Sequence, residues 1–241
     1  MPSLVGAFVL VTGANGGIGT QFVNEALVRG ANKVYATARN PRAWGDERIV
    51  PIALDVTDSA SIQRVAEAAA DVTVLINNAG AIPPSASLLA VTDEDIRANM
   101  ETNFFGPVFM ARAFAPILAS KSGSVLVDVH SVASWYAGAG AYSASKAALW
   151  SATNSLRLEL APQSVHVVGV HMGYVDTVMA AQATGPKMRP EELVTKVYDA
   201  VESGAYEVIA DEISLRTKAA LSAPVEVVHP ELAAAKSRSV S

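Results

Sequence analysis

The chain has no cysteine among its 241 residues. Disulfide bonds, thiol nucleophiles and cysteine-held metals are therefore excluded, and nothing in the composition demands an oxidising compartment. Histidine is scarce: the four residues show no HxH or HxxxH spacing and no carboxylate-rich neighbourhood, so no metal centre is expected. Charge is scarce too. Only 17% of residues are charged, the net charge is −5, and no run of Lys or Arg builds the clustered basic face that nucleic acid requires. Lys236 and Arg238 near the C-terminus read as a thin solvated tail. No apolar run approaches the roughly 20 residues that cross a bilayer. The start, MPSLVGAFVLVTGANGG, lacks the basic residues and cleavable end of a secretory leader. The expectation is a soluble cytoplasmic protein without membrane or nucleic-acid partners.

Apolar residues make up 51% of the chain. Such a share suits a parallel sheet buried on both faces, whose strands read as short continuous apolar runs. Strand and helix patterns alternate throughout. Strands are predicted at 7–12, 33–38, 50–54, 72–76, 124–129, 165–170 and 206–210, and helices at 17–29, 59–69, 93–118, 141–160 and 190–202. The helix at 93–118 is expected to break or bend near Gly106 and Pro107. Strands separated by helices imply right-handed βαβ units. The predicted fold is α/β: a single-domain, doubly wound parallel sheet of Rossmann-like type, about seven strands, spanning residues 1–241. Residues 172–190 follow a predicted strand end without clear periodicity, and read either as a lid over a ligand site or as an ordinary surface loop.

Thr12 to Gly19 reads TGANGGIG, between the first predicted strand and the first helix. Gly13, Gly17 and Gly19 let the backbone turn tightly and approach a pyrophosphate, and the helix N-terminus presents unpaired N–H groups to it. NAD-binding folds place an acidic residue about 20 residues further on, against the ribose 2′-hydroxyl. Here the second strand runs out as Ala36, Thr37, Ala38 and then Arg39. A guanidinium pairs with a 2′-phosphate, so the cofactor reading is NADP(H), with NAD(H) less favoured.

Tyr142 and Lys146 lie four apart in YSASK, on one face of a predicted helix. A free phenol has a pKa of about 10, and a nearby ammonium lowers it, making the pair competent to give or take a proton. The pair gains meaning from its companions. TGANGGIG at 12–19, Asp55 with Val56 after the third strand, NNAG at 77–80, Asn103, Ser131 and YSASK at 142–146 occur in an order that resembles the single-domain short-chain dehydrogenase/reductase family, over roughly residues 7–177.

That resemblance implies a redox enzyme and a role for each matched position. Tyr142 would donate the proton in reduction and accept it in oxidation. Lys146 would lower the phenol's pKa and hold the nicotinamide ribose. Ser131 would bond the substrate oxygen, with Ser134 as a second candidate because the gap from Ser131 to Tyr142 is short for the family. Asn103 would hold a water linking Lys146 to solvent. Gly13, Asn15, Gly16, Gly17, Ile18 and Gly19 would carry the pyrophosphate. Asp55 and Val56 would meet the adenine, and Asn77, Ala79 and Gly80 would shape the floor below the cofactor. Turn-capping is a compatible reading of Asn77 and Asn78.

Two segments depart from the family. Met172 stands where a proline usually precedes Gly173, which leaves open the path of the loop that would bring Val175 and Thr177 to the nicotinamide amide. The glycine-rich C-terminal tail that packs many relatives as tetramers is missing, and a helix-like run to Leu221 follows Ala210 instead. A homodimer through the helices at 93–118 and 141–160, or a homotetramer, is expected.

The resemblance places Ile82, Trp135, Tyr136, Tyr174 and Met179 around the substrate, with Ser131. Large apolar walls with two phenols suit a hydrophobic or aromatic ketone, aldehyde or secondary alcohol; facing the core or a dimer contact is the competing reading. His130 and His171 read as satisfied residues at strand ends. The leading function is an NADPH-dependent carbonyl reductase. An alcohol or diol dehydrogenase, NAD(H)-linked or running oxidatively, stays open, as does a cofactor-bound regulatory protein without turnover. A carrier-linked ketoacyl reductase would want more entrance cations than Lys187 and Arg189.

Overall fold

A computed structural model describes residues 2–229 and 231–232; Lys236 and Arg238 lie outside them. Seven strands form one parallel sheet: β1 (Phe8–Thr12), β2 (Lys33–Ala38), β3 (Ile49–Ala53), β4 (Val74–Asn77), β5 (Val125–Val129), β6 (His166–His171) and a last strand at Glu207–Ile209. Their order is β3-β2-β1-β4-β5-β6 followed by that last strand. Every pairing is parallel, with register such as Val11 against Ala36 and Ile76.

The central strands form because their residues are apolar on both faces, whereas the edge strand β3 leaves Pro51 and Ala53 exposed. Along β1, Val9 and Val11 pack with Phe22, Val23 and Ala26 of α1 (Gly17–Val28) and with Leu193, Val197 and Tyr198 of a late helix at Pro190–Ser203. The intervening Leu10 faces the other way. It packs with Ile62 and Val65 of α2 (Ser59–Ala68) and with Met110 and Phe114 of a helix at Gly106–Ala119. One residue's shift in register would swap these two faces, which is how the pattern specifies the pairing.

The long helical stretch divides as α3 (Asp93–Met100), a π-helical turn (Glu101–Phe105) and α4 (Gly106–Ala119). The expected irregularity is present but starts one turn earlier than Gly106. α5 (Ala141–Leu160) and α6 (Pro190–Ser203) match their predicted spans to within a residue. The segment after β6 has structure of its own: β7 (Tyr174–Val175) pairs in parallel with β8 (Lys187–Met188). Two-residue strands leave no periodic trace in a sequence. The sheet's last strand is β9 (Glu207–Ile209), and α7 (Glu212–Ala219) and a short α8 (Val225–Val228) follow.

Because all seven strands run the same way, their C-terminal ends share one edge. The chain leaves β1 toward β2 on one side, and β4 lies on the other, so a crevice opens between the loops after β1 and β4. Open α/β sheets bind ligands at such a switch point.

Candidate active site

The loop after β1 is held by the loop after β4. The Thr12 hydroxyl accepts the N–H groups of Asn78 and Ala79, both at 2.9 Å, and points its own proton at the Ile76 carbonyl. The Asn78 amide donates to the Thr12 carbonyl at 2.8 Å and approaches that of Gly13. Gly13 has φ +66°, in the left-handed region, and a Cβ there would lie 3.0 Å from Ala79 Cα. A Cβ on Gly19 would fall 2.2 Å from the Gly13 carbonyl oxygen and 2.9 Å from Asn78 Nδ2. These contacts press the start of α1 against the turn. The helix begins at an exposed Gly16 with no side-chain cap and no acidic residue in its first turn. Asn15 and Gly17 are also exposed, and Ile18 is half-buried. Exposed first-turn N–H groups beside a glycine cradle fit a dinucleotide pyrophosphate.

The neighbouring strand ends complete this edge. Arg39 is exposed just beyond β2, and its charge helps hold the Asp55 carboxyl below its ordinary range, after the larger effect of the Thr57 N–H and hydroxyl. Val56 is buried against Gly106. Thr177, in the loop after β7, reaches back to the glycine turn: a Cβ on Gly17 would meet its methyl at 2.8 Å. Val175 is buried. The Gly173 N–H donates to Asp211 at 2.6 Å, and the same carboxylate caps α7 through the Ser214 N–H. With Met172 in place of the family's proline, the Met172 carbonyl accepts the Val132 N–H at 2.7 Å, which sets this loop's departure from β6.

Ser131, Tyr142 and Lys146 come together beyond β5. Ser131 is buried and extended (φ −170°); its hydroxyl lies beside the Tyr142 phenol, donates to the Met172 carbonyl at 3.5 Å and accepts the Ala133 N–H at 3.1 Å. Ser134 is buried one turn on, and its hydroxyl has no partner. Lys146 is buried with its ammonium 5.8 Å from the Tyr142 ring centre. It donates to the Val129 carbonyl at 2.7 Å.

The resemblance has Lys146 lowering the Tyr142 pKa, while burial of the phenol acts the other way. The Tyr142 phenol is pushed up from its ordinary value, because burial disfavours the phenolate more than the Ser131 hydrogen bond favours it. Lys146 itself is lowered to about 8 by burial, against the opposing pull of Asp128. Asp128 is fully buried on β5 and pushed up by desolvation, and it accepts Thr153 at 2.6 Å and Asn77 at 2.9 Å.

Asn103 sits in the π-helical turn, where its amide spans two elements. Its Oδ1 accepts the Ala81 N–H at 2.8 Å, and its Nδ2 reaches the Ala81 carbonyl, Asn99 and Ser145. Gly80 lies between Asn103 and Lys146: a Cβ there would be 3.4 Å from Asn103 Oδ1 and 3.9 Å from Lys146 Nζ. The Asn77 amide donates to Asp128 and to the Pro107 carbonyl, bracing the floor from below.

The expected substrate walls separate. Ile82, Tyr174 and Met179 are about half-exposed, and Tyr136 is 37% exposed with its hydroxyl on Glu231. Trp135 turns inward instead. It is 6% exposed, stacked on His171 at 3.9 Å and edge-on to Trp150, because the turn after Ser131 folds it against β6. His130 and His171 are buried at strand ends but are not fully satisfied: both His130 nitrogens and His171 Nε2 lack a hydrogen-bond partner. Two shallow concavities elsewhere, beside Trp44 and beside Ser3–Ala7, touch none of these residues.

Sequence reading missed Asn99, Asp128, Thr153 and Asp211. Asn99 stands four residues before Asn103, a helical spacing that signals contact. Asp128 interrupts the apolar run VLVDV, and a carboxylate inside a buried strand is itself a signal. Asp211 has the form of an N-cap. Thr153 carried no signal of its own.

This edge, with its glycine cradle and convergent Ser, Tyr and Lys, defines a Rossmann-type α/β protein. Comparison with known proteins narrows the class. A family profile described as short chain dehydrogenase matches residues 7–187. The chain is 37% identical over 189 residues to the NADPH-dependent 1-acyldihydroxyacetone phosphate reductase of Schizosaccharomyces pombe, covering 74% of this chain and 63% of that protein. It is 32% identical over 193 residues to the NADP-dependent 3-hydroxy acid dehydrogenase of the same organism, covering 73% and 74%. It resembles the solved structure of a short chain dehydrogenase from Burkholderia cenocepacia J2315 in complex with NADP, with 36% identity, 95% and 98% coverage and a TM-score of 0.88. The chain spans just under two thirds of the length of the first curated relatives it matches. It belongs to the short-chain dehydrogenase family. Among the described residues, no helix is long and apolar enough to cross a membrane, and no cluster of three or more His, Asp or Glu could hold a metal.

Thr12→Val removes the acceptor for two N–H groups and should cost about 2–3 kcal/mol in urea unfolding. A variant as stable as wild type would contradict the clip. The second expectation concerns pH. The folded Lys146 value, about 8, lies below its unfolded value of 10.5. The unfolded chain therefore binds more protons between the two, and raising pH through that window favours the folded state. Wild-type stability measured relative to Lys146→Met should rise from about pH 8 to 10.5. A flat difference would show that the ammonium is not buried.

Proposed function

We propose that this chain is an NADP(H)-dependent oxidoreductase that transfers hydride reversibly between nicotinamide and a ketone, aldehyde or secondary alcohol, with Tyr142 as general acid and base. The observation that carries this reading is the meeting of the Ser131 hydroxyl, the Tyr142 phenol and the buried Lys146 ammonium on the same sheet edge as the glycine cradle.

Bound NADPH supplies the hydride. The chain's own residues do the rest. Gly13, Asn15, Gly16, Gly17, Ile18 and Gly19 would hold the pyrophosphate, Arg39 the 2′-phosphate, and Asp55 and Val56 the adenine. Asn77, Ala79, Gly80, Gly173, Val175 and Thr177 would shape the path to the nicotinamide end. The NADP and NADPH named for the similar proteins support this choice, as does the lack of a carboxylate at the end of β2.

Ser131 would bond the substrate oxygen. Tyr142, whose raised pKa keeps it protonated at neutral pH, would then give its proton to that oxygen as negative charge builds there. A protonated phenol favours reduction. Oxidation requires the phenolate, and Lys146 is the cation near enough to support it. Asn103 would order the segment around Gly80 and any water reaching Lys146. Residues 172–190 would act as a lid, and the half-exposed Ile82, Tyr136, Tyr174 and Met179 favour a hydrophobic or aromatic substrate. We read residues 1–241 as one domain, and the helical stretch 93–118 with α5 as the helices through which copies pair in a homodimer or homotetramer.

The test is NADPH oxidation against a panel of aromatic and aliphatic ketones. Tyr142→Phe should lower kcat by about 10²–10⁴, the range for loss of a general acid, with little change in NADPH affinity. Turnover persisting in that variant would remove Tyr142 from the chemistry.

A further inference from the structure

We infer that His171 is a positioning residue: its Nδ1–H holds the Ser131 carbonyl, and so sets the residue whose hydroxyl meets the Tyr142 phenol. The inference rests on the proposed roles of Ser131 and Tyr142.

His171 ends β6, one strand over from β5, and its side chain is wholly buried. The register that pairs Val129 with Val170 brings it beside the segment that follows β5. Its Nδ1 lies 3.3 Å from the Ser131 carbonyl oxygen. That oxygen also accepts the Ser134 N–H at 3.0 Å. A carbonyl offers two lone pairs, so these two donors fix its direction. Two backbone bonds, His130 N–H to Val170 and Val132 N–H to Met172, and the longer bond of the Ser131 hydroxyl to the Met172 carbonyl at 3.5 Å also hold this segment. His171 adds a side-chain strut to the one residue between them.

The partners determine the tautomer. An acceptor at Nδ1 requires the proton on Nδ1, which leaves Nε2 bare. Nε2 indeed has no hydrogen-bond partner, and the Glu207 carboxylate stands off at 3.6 Å. Glu207 pairs instead with Lys218 on α7. Burial above all lowers His171 to about 3, against the opposing Ser131 hydrogen bond and with smaller help from the charges of Lys218, Arg157 and Lys146, so the ring is neutral at neutral pH.

The ring cannot swing away from Ser131, because it is the middle layer of a stack. Trp135 lies on one side at 3.9 Å and 14°, and His130 at 4.7 Å and 20°. His130 immediately precedes Ser131 in the chain, and Trp135 follows it by four residues. The same short segment therefore clamps the ring and receives its hydrogen bond. This gives the inward turn of Trp135 and the unpartnered His130 nitrogens a purpose: they are the plates of the clamp.

Two substitutions separate the donor from the ring. In His171→Asn the amide nitrogen replaces Nδ1 and the stack is lost; in His171→Phe the stack remains and the donor is lost. NADPH-dependent ketone reduction should fall about tenfold in kcat for His171→Phe, the factor carried by one ordinary hydrogen bond, with NADPH Kd within about twofold of wild type. His171→Asn should keep kcat within about threefold of wild type while melting at a lower temperature than His171→Phe. An Asn variant no more active than the Phe variant, or a Phe variant with wild-type kcat, overturns the inference. Nitrogen-15 NMR of the wild-type histidines provides a reading that needs no variant: His171 should remain neutral and Nδ1-protonated from pH 5 to 9. An Nε2–H tautomer or a titration in that range also overturns it. A chain that reduces no ketone would defeat the functional proposal, while the NMR result would still judge the strut.

Discussion

Two backbone N–H groups, from Asn78 and Ala79, close on a single hydroxyl, that of Thr12. The junction is small, but the rest of the site depends on it. β1 and β4 are neighbours in the sheet, and their loops leave the same edge toward opposite sides. Without a tie, the glycine turn and the NNAG segment would be two flexible ends. With it, and with the Asn78 amide on the Thr12 carbonyl, the start of α1 and the floor near Lys146 become one surface. A parallel sheet creates the shared edge, and Thr12 makes it rigid where a ligand would lie.

From that surface the electrostatics follow from burial. Lys146 is taken out of water with a neutral carbonyl as its hydrogen-bond partner, and its balancing charge, Asp128, belongs to the residue preceding that carbonyl. Asp128 is itself steadied by Asn77 and Thr153. The arrangement keeps a cation close to Tyr142 without spending it on the phenol. Burial keeps the phenol's pKa raised, with the Ser131 hydroxyl beside it.

Much of this was legible in the sequence. Continuous apolar runs such as FVLVT and VLIN announce strands buried on both faces, and the glycines of TGANGGIG mark a turn that a Cβ would block. The four-residue spacing of Tyr142 and Lys146 places both on one helical face, as found. The illegible parts depend on tertiary direction. Nothing in the local pattern says that Trp135 folds inward onto His171, that the ammonium of Lys146 turns to Val129, or that the bend of the long helix is a π-turn built around Asn103. The β7–β8 ladder is too short to leave a period, and Asp211 acts through Gly173, 38 residues away. These are contacts between distant segments, and local periodicity does not encode them.

The edge organised by Thr12 is proposed to seat a dinucleotide with its reactive end at Ser131 and Tyr142. A crystal structure of the chain with NADP+ tests this most directly. The pyrophosphate is expected on the glycine turn at the start of α1, the 2′-phosphate against Arg39, and the nicotinamide ring beside the Tyr142 hydroxyl. A dinucleotide bound away from the glycine turn, or one whose nicotinamide lies remote from both Ser131 and Tyr142, would contradict it.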